Sequence, residues 1–166
     1  MATANPRQGA SRTSTADAIK LLTEDHKQVK ALFRQYEKLA KAGDESRRDV
    51  AQEICRMLTV HATVEEELLY PRALEALKEG DAHLVEEAEV EHASVKDLVA
   101  QIEGASPDSE LFDAKVKVLA EYVAHHVKEE EEQLFPKLKK SGVDTRELGE
   151  ELVERKGELL PQSAED

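Results

Sequence analysis

The chain lacks the features that would place it in an oxidising compartment or a membrane. It has one cysteine, Cys55, so no intrachain disulfide can form. It has no run of about 18 apolar residues, which argues against a membrane-spanning helix. Its first stretch, 1–15, is rich in Ala, Ser and Thr and carries Arg7 and Arg12, but it has no apolar segment of the kind a secretory signal needs. Together these absences read as a cytoplasmic protein. Tryptophan is missing and aromatics make up only 4% of residues, so any core must be built from Leu, Val, Ala and Ile. Positive charge is the minority: 23 Lys and Arg stand against 36 Asp and Glu, a net charge of −13. Such a surface repels phosphate backbones and anionic lipid, so neither nucleic acid nor membrane is an expected partner. Strand-period alternation is also scarce.

What remains is a helical pattern. Hydrophobic residues at 40% and charged residues at 36% suit amphipathic helices with solvated outer faces. A length of 166 residues fits one domain. Gly43, Gly80, Gly104 with Pro107, and Gly142 separate segments with three-and-four spacing of apolar residues. The predicted helices run over about 15–42, 45–78, 81–103, 109–140 and 144–156, with Pro71 and Pro136 expected to break or kink the second and fourth. The expected fold is all-α: an antiparallel up-down-up-down four-helix bundle with a short C-terminal fifth helix. The expected divisions are a flexible tail at 1–15, the bundle at 16–140, and a short helix with a polar tail at 141–166.

The bundle is a diverged duplication. The segment from His61 to Pro71 matches the segment from His126 to Pro136 at six of eleven positions, and Tyr70 pairs conservatively with Phe135. The segment from Asp25 to Leu32 matches the one from Glu91 to Leu98, so His26 pairs with His92. The His26-to-His61 step is 35 residues and the His92-to-His126 step is 34. Two copies of one helical hairpin therefore pack about a pseudo-two-fold axis, and each helix brings one histidine to an equivalent depth. Residues i and i+4 share a helix face, so His61 and Glu65 point one way, as do His126 and Glu130.

If those faces are inward, the core holds four imidazoles and two carboxylates. Such groups are costly to bury unpaired, and a cation resolves the conflict. Structural zinc favours closed tetrahedral sites, and calcium and magnesium favour oxygen-only shells. Mixed imidazole and carboxylate suits iron or manganese, and six ligands suit two metals. Two octahedral ions offer about twelve positions, of which four His, two bridging Glu and one bridging oxide or hydroxide fill about ten. The remainder would be open to a small molecule.

The pattern His … His-x-x-x-Glu … His … His-x-x-x-Glu, with its Glu-Glu…Leu-Tyr/Phe-Pro extension, resembles the hemerythrin-like (HHE cation-binding) family over about 21–138. The resemblance implies metal ligands at His26, His61, Glu65, His92, His126 and Glu130, and two iron ions, oxo- or hydroxo-bridged, with manganese or zinc ranked behind. It implies a small-molecule partner, namely dioxygen, nitric oxide or hydrogen peroxide, and a role in oxidative or nitrosative stress. Activity could be enzymatic, catalase-like or another di-iron redox reaction. The alternatives are an oxygen or nitric oxide carrier or sensor without turnover, and iron buffering. The oligomeric state is left open. Oxygen-carrying relatives have a further His four residues before the third-helix ligand, where this chain has Ala88.

Other candidates are weaker. Glu89 and Tyr122 could add an oxygen ligand, Tyr122 being expected mainly to pack or hydrogen-bond near the site. His125 points about 100° from His126 and is expected outside the ligand set. His83 reads as surface and Cys55 as a small core residue. Glu66, Glu67, Glu131 and Glu132 read as a solvated face, one of which could accept the second N–H of a ligand imidazole.

Overall fold

A computed structural model describes residues 16–106 and 108–160. The expected tail at 1–15 and the chain end at 161–166 lie outside the described residues. Helix α1 spans Ala18–Ala42. It starts later than its periodicity suggests because the Asp17 side chain accepts the Lys20 N–H at 3.0 Å and fixes the first turn there. It stops at Gly43, whose φ of 67° lets the chain turn away while its N–H returns to the Leu39 and Ala40 carbonyls.

Helix α2, Arg47–Val64, passes through one π-helical turn, Glu65–Leu69, into α3, Tyr70–Ala76. Helix α4 is His83–Gly104. Helix α5, Phe112–Glu129, passes through a second π turn, Glu130–Leu134, into α6, Phe135–Lys140. Helix α7 is Thr145–Leu159. The two hairpins, α1 with α2–α3 and α4 with α5–α6, pack as the all-α bundle that the duplication implies. No helix among the described residues is long and apolar enough to cross a membrane.

At Pro71 and Pro136, where a break or kink is expected, each helix runs on through a π turn. Proline supplies no N–H for the preceding turn. In each copy that turn widens instead, and the N–H of Tyr70 reaches back to the Glu65 carbonyl as that of Phe135 does to Glu130. Each widened turn begins on the glutamate of a His-x-x-x-Glu pair, and single π turns of this kind recur at functional sites.

The core falls into two apolar clusters. One holds Leu22, Leu69, Tyr70, Ala88, Leu134 and Phe135 with Leu148 and Leu152 of α7. The other holds Val29, Ile54, Leu58, Val99, Leu119 and Val123. The buried polar residues His26, His61, Glu65, His92, His126 and Glu130 form a layer between them. Helix α7 lies along α1 and α2. It approaches so closely that a Cβ on Gly149 would sit 2.0 Å from the Ala16 carbonyl oxygen.

Candidate metal centre

The six residues singled out from the repeat all come together. Helix α1 carries His26, α2 carries His61, α4 carries His92 and α5 carries His126, while the two π turns carry Glu65 and Glu130. Glu65 and Glu130 are 0% and 2% exposed, so neither charge is relieved by water. Each carboxylate spans two histidines. Glu65 places Oε1 3.0 Å from His61 Nε2 and Oε2 3.2 Å from His92 Nε2. Glu130 places Oε2 3.3 Å from His26 Nε2 and Oε1 3.5 Å from His126 Nε2. Two sets of donors result, each able to hold a cation: His26, His61, Glu65 and Glu130, and Glu65, His92 and His126.

Electrostatics ties these groups together. Burial alone would drive His61 towards neutrality, but the charges of Glu65 and Asp25 outweigh it and push the imidazole up to about 10. Burial would likewise raise Glu65, yet His61 and His92 hold its carboxyl well below the usual range. His126 is raised against its own burial by Glu130 and Glu91. Even so, four buried atoms of the first set, which face one another in two pairs, make no well-aligned hydrogen bond: His26 Nε2, His61 Nε2, Glu65 Oε1 and Glu130 Oε2. Buried polar atoms nearly always make one, so four facing atoms without one fit a cation.

A second layer of acids orients the imidazoles. His61 Nδ1 bonds Asp25 at 2.9 Å, and His126 Nδ1 bonds Glu91 at 2.7 Å. His26 Nδ1 bonds Glu131 at 2.9 Å, and His92 Nδ1 bonds Glu66 at 3.0 Å. With each Nδ1–H committed to a carboxylate, each Nε2 faces the layer, where losing its proton would free a lone pair for a cation. The first two bonds join helices within a hairpin and the last two join the hairpins to each other. Sequence reasoning allotted this role to one of the four face glutamates. Glu66 and Glu131 both fill it, and Asp25 and Glu91 were missed, although they stand in matching places before His26 and His92. Lys96 pairs with Glu66, and Lys156 of α7 pairs with Asp25.

Tyr70 was also missed. Its hydroxyl lies 3.1 Å from His92 Nε2 and donates to Glu130 Oε1 at 2.9 Å. Burial and the charges of Glu65 and Glu130 raise its pKa far above the ordinary value, so the phenol is a proton donor here when no cation is bound. Its repeat partner Phe135 has no hydroxyl and stacks on His26 with ring centroids 5.9 Å apart. The two donor sets are therefore unequal: a phenol serves the His92 side, and the orphaned atoms all lie on the His26 side. The only sequence signal was that Tyr70 and Phe135 are the one conservative mismatch in the Leu-aromatic-Pro end of the repeat.

The remaining candidates separate cleanly. Tyr122 is 47% exposed and Glu89 is exposed, so both lie outside the layer. His125 is 63% exposed and faces Glu91 and Glu129. His83 is exposed and bonds the Gly80 carbonyl. Cys55 is buried, which pushes its thiol up to about 12 and leaves it inert. Ala88 sits among apolar side chains beside Val85 and Leu84. Next to the layer, the four imidazoles with Val29, Leu58, Val95, Val123 and Val127 line a small cavity of about 20 Å³.

A four-helix bundle that brings a histidine from each of its four long helices and a spanning glutamate from each hairpin into one buried layer is a cation-binding bundle. The chain belongs to the hemerythrin HHE cation binding domain family, whose model matches residues 17–138. It is similar to the crystal structure of a hemerythrin HHE cation binding domain-containing protein from Mycobacterium kansasii, with a TM-score of 0.72, 25% identity and 86% of each chain covered. It is also 37% identical over 112 residues to a DNA nickase of Nostoc sp., covering 67% of this chain. The match spans only 30% of that relative's length.

Proposed function

We propose that the protein is a non-haem di-iron protein that binds or reacts with small oxidants, in defence against oxidative or nitrosative stress. The observation that carries this reading is the convergence of His26 Nε2, His61 Nε2, Glu65 Oε1 and Glu130 Oε2 as buried atoms with no well-aligned hydrogen bond, beside a cavity that has room for one small molecule. His26, His61, His92, His126, Glu65 and Glu130 would hold the two ions, with the Tyr70 hydroxyl beside them on the His92 side. Nitrogen-rich ligation with carboxylate oxygen suits iron better than zinc, calcium or magnesium. Bound there, iron supplies redox chemistry and positions open to a small oxidant. The chain's own part is to orient the imidazoles through Asp25, Glu66, Glu91 and Glu131, to exclude water, and to offer the Tyr70 proton beside Glu130.

Simple carriage is the second reading. Position 88 argues against it, because Ala88 adds no nitrogen donor and its surroundings are apolar. DNA nicking stays with the longer relative, since a chain of net charge −13 is poorly suited to a phosphate backbone. Metal analysis with the visible spectrum of the oxidised protein tests the centre: about two irons per chain are expected. Peroxide consumption by the loaded protein then supports turnover, whereas a reversible spectral change with dioxygen or nitric oxide and no consumption supports carriage or sensing.

A further inference from the structure

The duplication makes the seam between α1 and α5 the counterpart of the seam between α4 and α2, so the two should close alike. They do not: α2 and α4 pack more closely than α1 and α5. The looser seam opens into an outer groove of about 920 Å³. Its floor is apolar, formed by Val29, Phe33, Val116 and Val123, and Ala120 and Ala124 on α5 keep it wide. From His26 to Lys41 it runs about 20 Å, at 1.5 Å of rise per helical residue. Volumes of this order are typical of ligand sites, and here an apolar floor lies between charged rims.

Charge says what kind of ligand. On a chain of net charge −13, Lys30 and Arg34 on one rim and Lys117 and Lys128 on the other have no acidic partner within 4 Å among the described residues. Of the five acids in the same lining, three are engaged, Glu37 with Lys41, Asp113 with Tyr36 and Arg47, and Glu131 with His26, which leaves Glu121 and Glu132 against the four free cations. Unspent cations over a long apolar floor suit one elongated apolar molecule with an anionic head.

We propose that this groove binds a long-chain carboxylate, with its acyl chain along the α1/α5 floor and its head on the rim cations. The site is separate from the di-iron reading but adjoins it. His26, Val29, Val123 and Val127 line both the groove and the small inner cavity, so they form the wall between them. A chain lying in the groove covers the outer face of that wall.

Titration of the metal-loaded full chain with the fluorescent fatty acid cis-parinarate tests this. Saturable binding to one site is expected, displaced by oleate. Ala124→Phe, which fills the groove, should weaken binding by about tenfold or more. Arg34→Glu with Lys117→Glu should weaken oleate by about tenfold while leaving oleyl alcohol little changed. Metal content and helical circular dichroism of both variants should match the parent, which separates a lost site from a lost fold. Unsaturable binding, equal affinity in the Ala124→Phe protein, or equal displacement by a long-chain cation overturns the proposal. So does sedimentation showing that two copies bury this face. Because metal content is read alongside, failure here leaves the di-iron reading standing.

Discussion

Tyr70 and Phe135 hold equivalent places in the two hairpins, yet only Tyr70 brings an oxygen into the polar layer, 2.9 Å from Glu130 Oε1. A pseudo-symmetric fold thus carries an asymmetric centre, and the difference is a single hydroxyl. Tyr70→Phe should make the two sides alike. Because Phe135 already packs in the equivalent place, the variant should fold, at a cost of about 1 kcal/mol for the lost hydrogen bond. It should keep its metal content and, on the di-iron reading, change its visible spectrum. An unchanged spectrum at full metal content would keep Tyr70 out of the ligand set.

The spanning carboxylates should matter most. Glu65→Ala or Glu130→Ala should remove most bound metal, measured by elemental analysis after gel filtration. Each also strips a buried imidazole pair of its counter-charge, at about 3–5 kcal/mol in the metal-free protein. The exposed Glu132 is the control, and Glu132→Ala should bind metal as the parent does.

The outer acids act through the imidazoles. Asp25→Asn and Glu91→Gln keep the shape but lose the charge that holds Nδ1–H, and each should lower metal affinity about 10- to 100-fold. Competition with a chromogenic chelator would show it. An affinity within twofold of the parent would make these bonds incidental.

Much of this was legible before any coordinates. The His-x-x-x-Glu pair is local, and spacing alone places both side chains on one face. Duplication then identified His26 and His92, which single spacing could not. The second layer was harder because Asp25 serves His61 and Glu66 serves His92, each on a different helix, so only the packing of the bundle pairs them. The π turns were not legible for a related reason. Proline signals a lost hydrogen bond, but whether the helix breaks or widens depends on what the turn packs against. The groove was illegible, since it comes from unequal closing of seams that the repeat makes formally equal.

The titration of His61 sets a pH dependence with a definite sign. Without metal it is pushed up from 6.5 to about 10 by Glu65 and Asp25. A raised histidine contributes stability that is fully present below pH 6.5 and lost as pH climbs towards 10. The metal-free protein should therefore melt at lower temperature at pH 10 than at pH 7, whereas the loaded protein should vary less. Loading at neutral pH must also expel protons, because His61 and His126 are both raised. Calorimetry in two buffers of different ionisation enthalpy would detect the release, and its absence would mean the imidazoles are already neutral.

Helix α7 lies beyond the family-matched segment, yet it reaches the centre through Lys156 and Asp25. Its seat depends on Gly149, where a Cβ would meet the Ala16 carbonyl oxygen at 2.0 Å and its carbon at 2.6 Å. Backbone cannot yield as a side-chain end can, so Gly149→Ala should cost about 1–3 kcal/mol and loosen α7. Gly157 on the same helix has nothing within 4 Å of its Cβ position, and Gly157→Ala should instead gain up to about 1 kcal/mol of helix propensity. Thermal unfolding of the two variants separates docking from propensity, because both add the same methyl to one helix. If α7 serves only as packing, Gly149→Ala should lower the melting temperature and leave metal affinity alone. If it steadies His61 through Asp25, Lys156→Met should weaken metal binding with little change in melting temperature, and Gly149→Ala should do both.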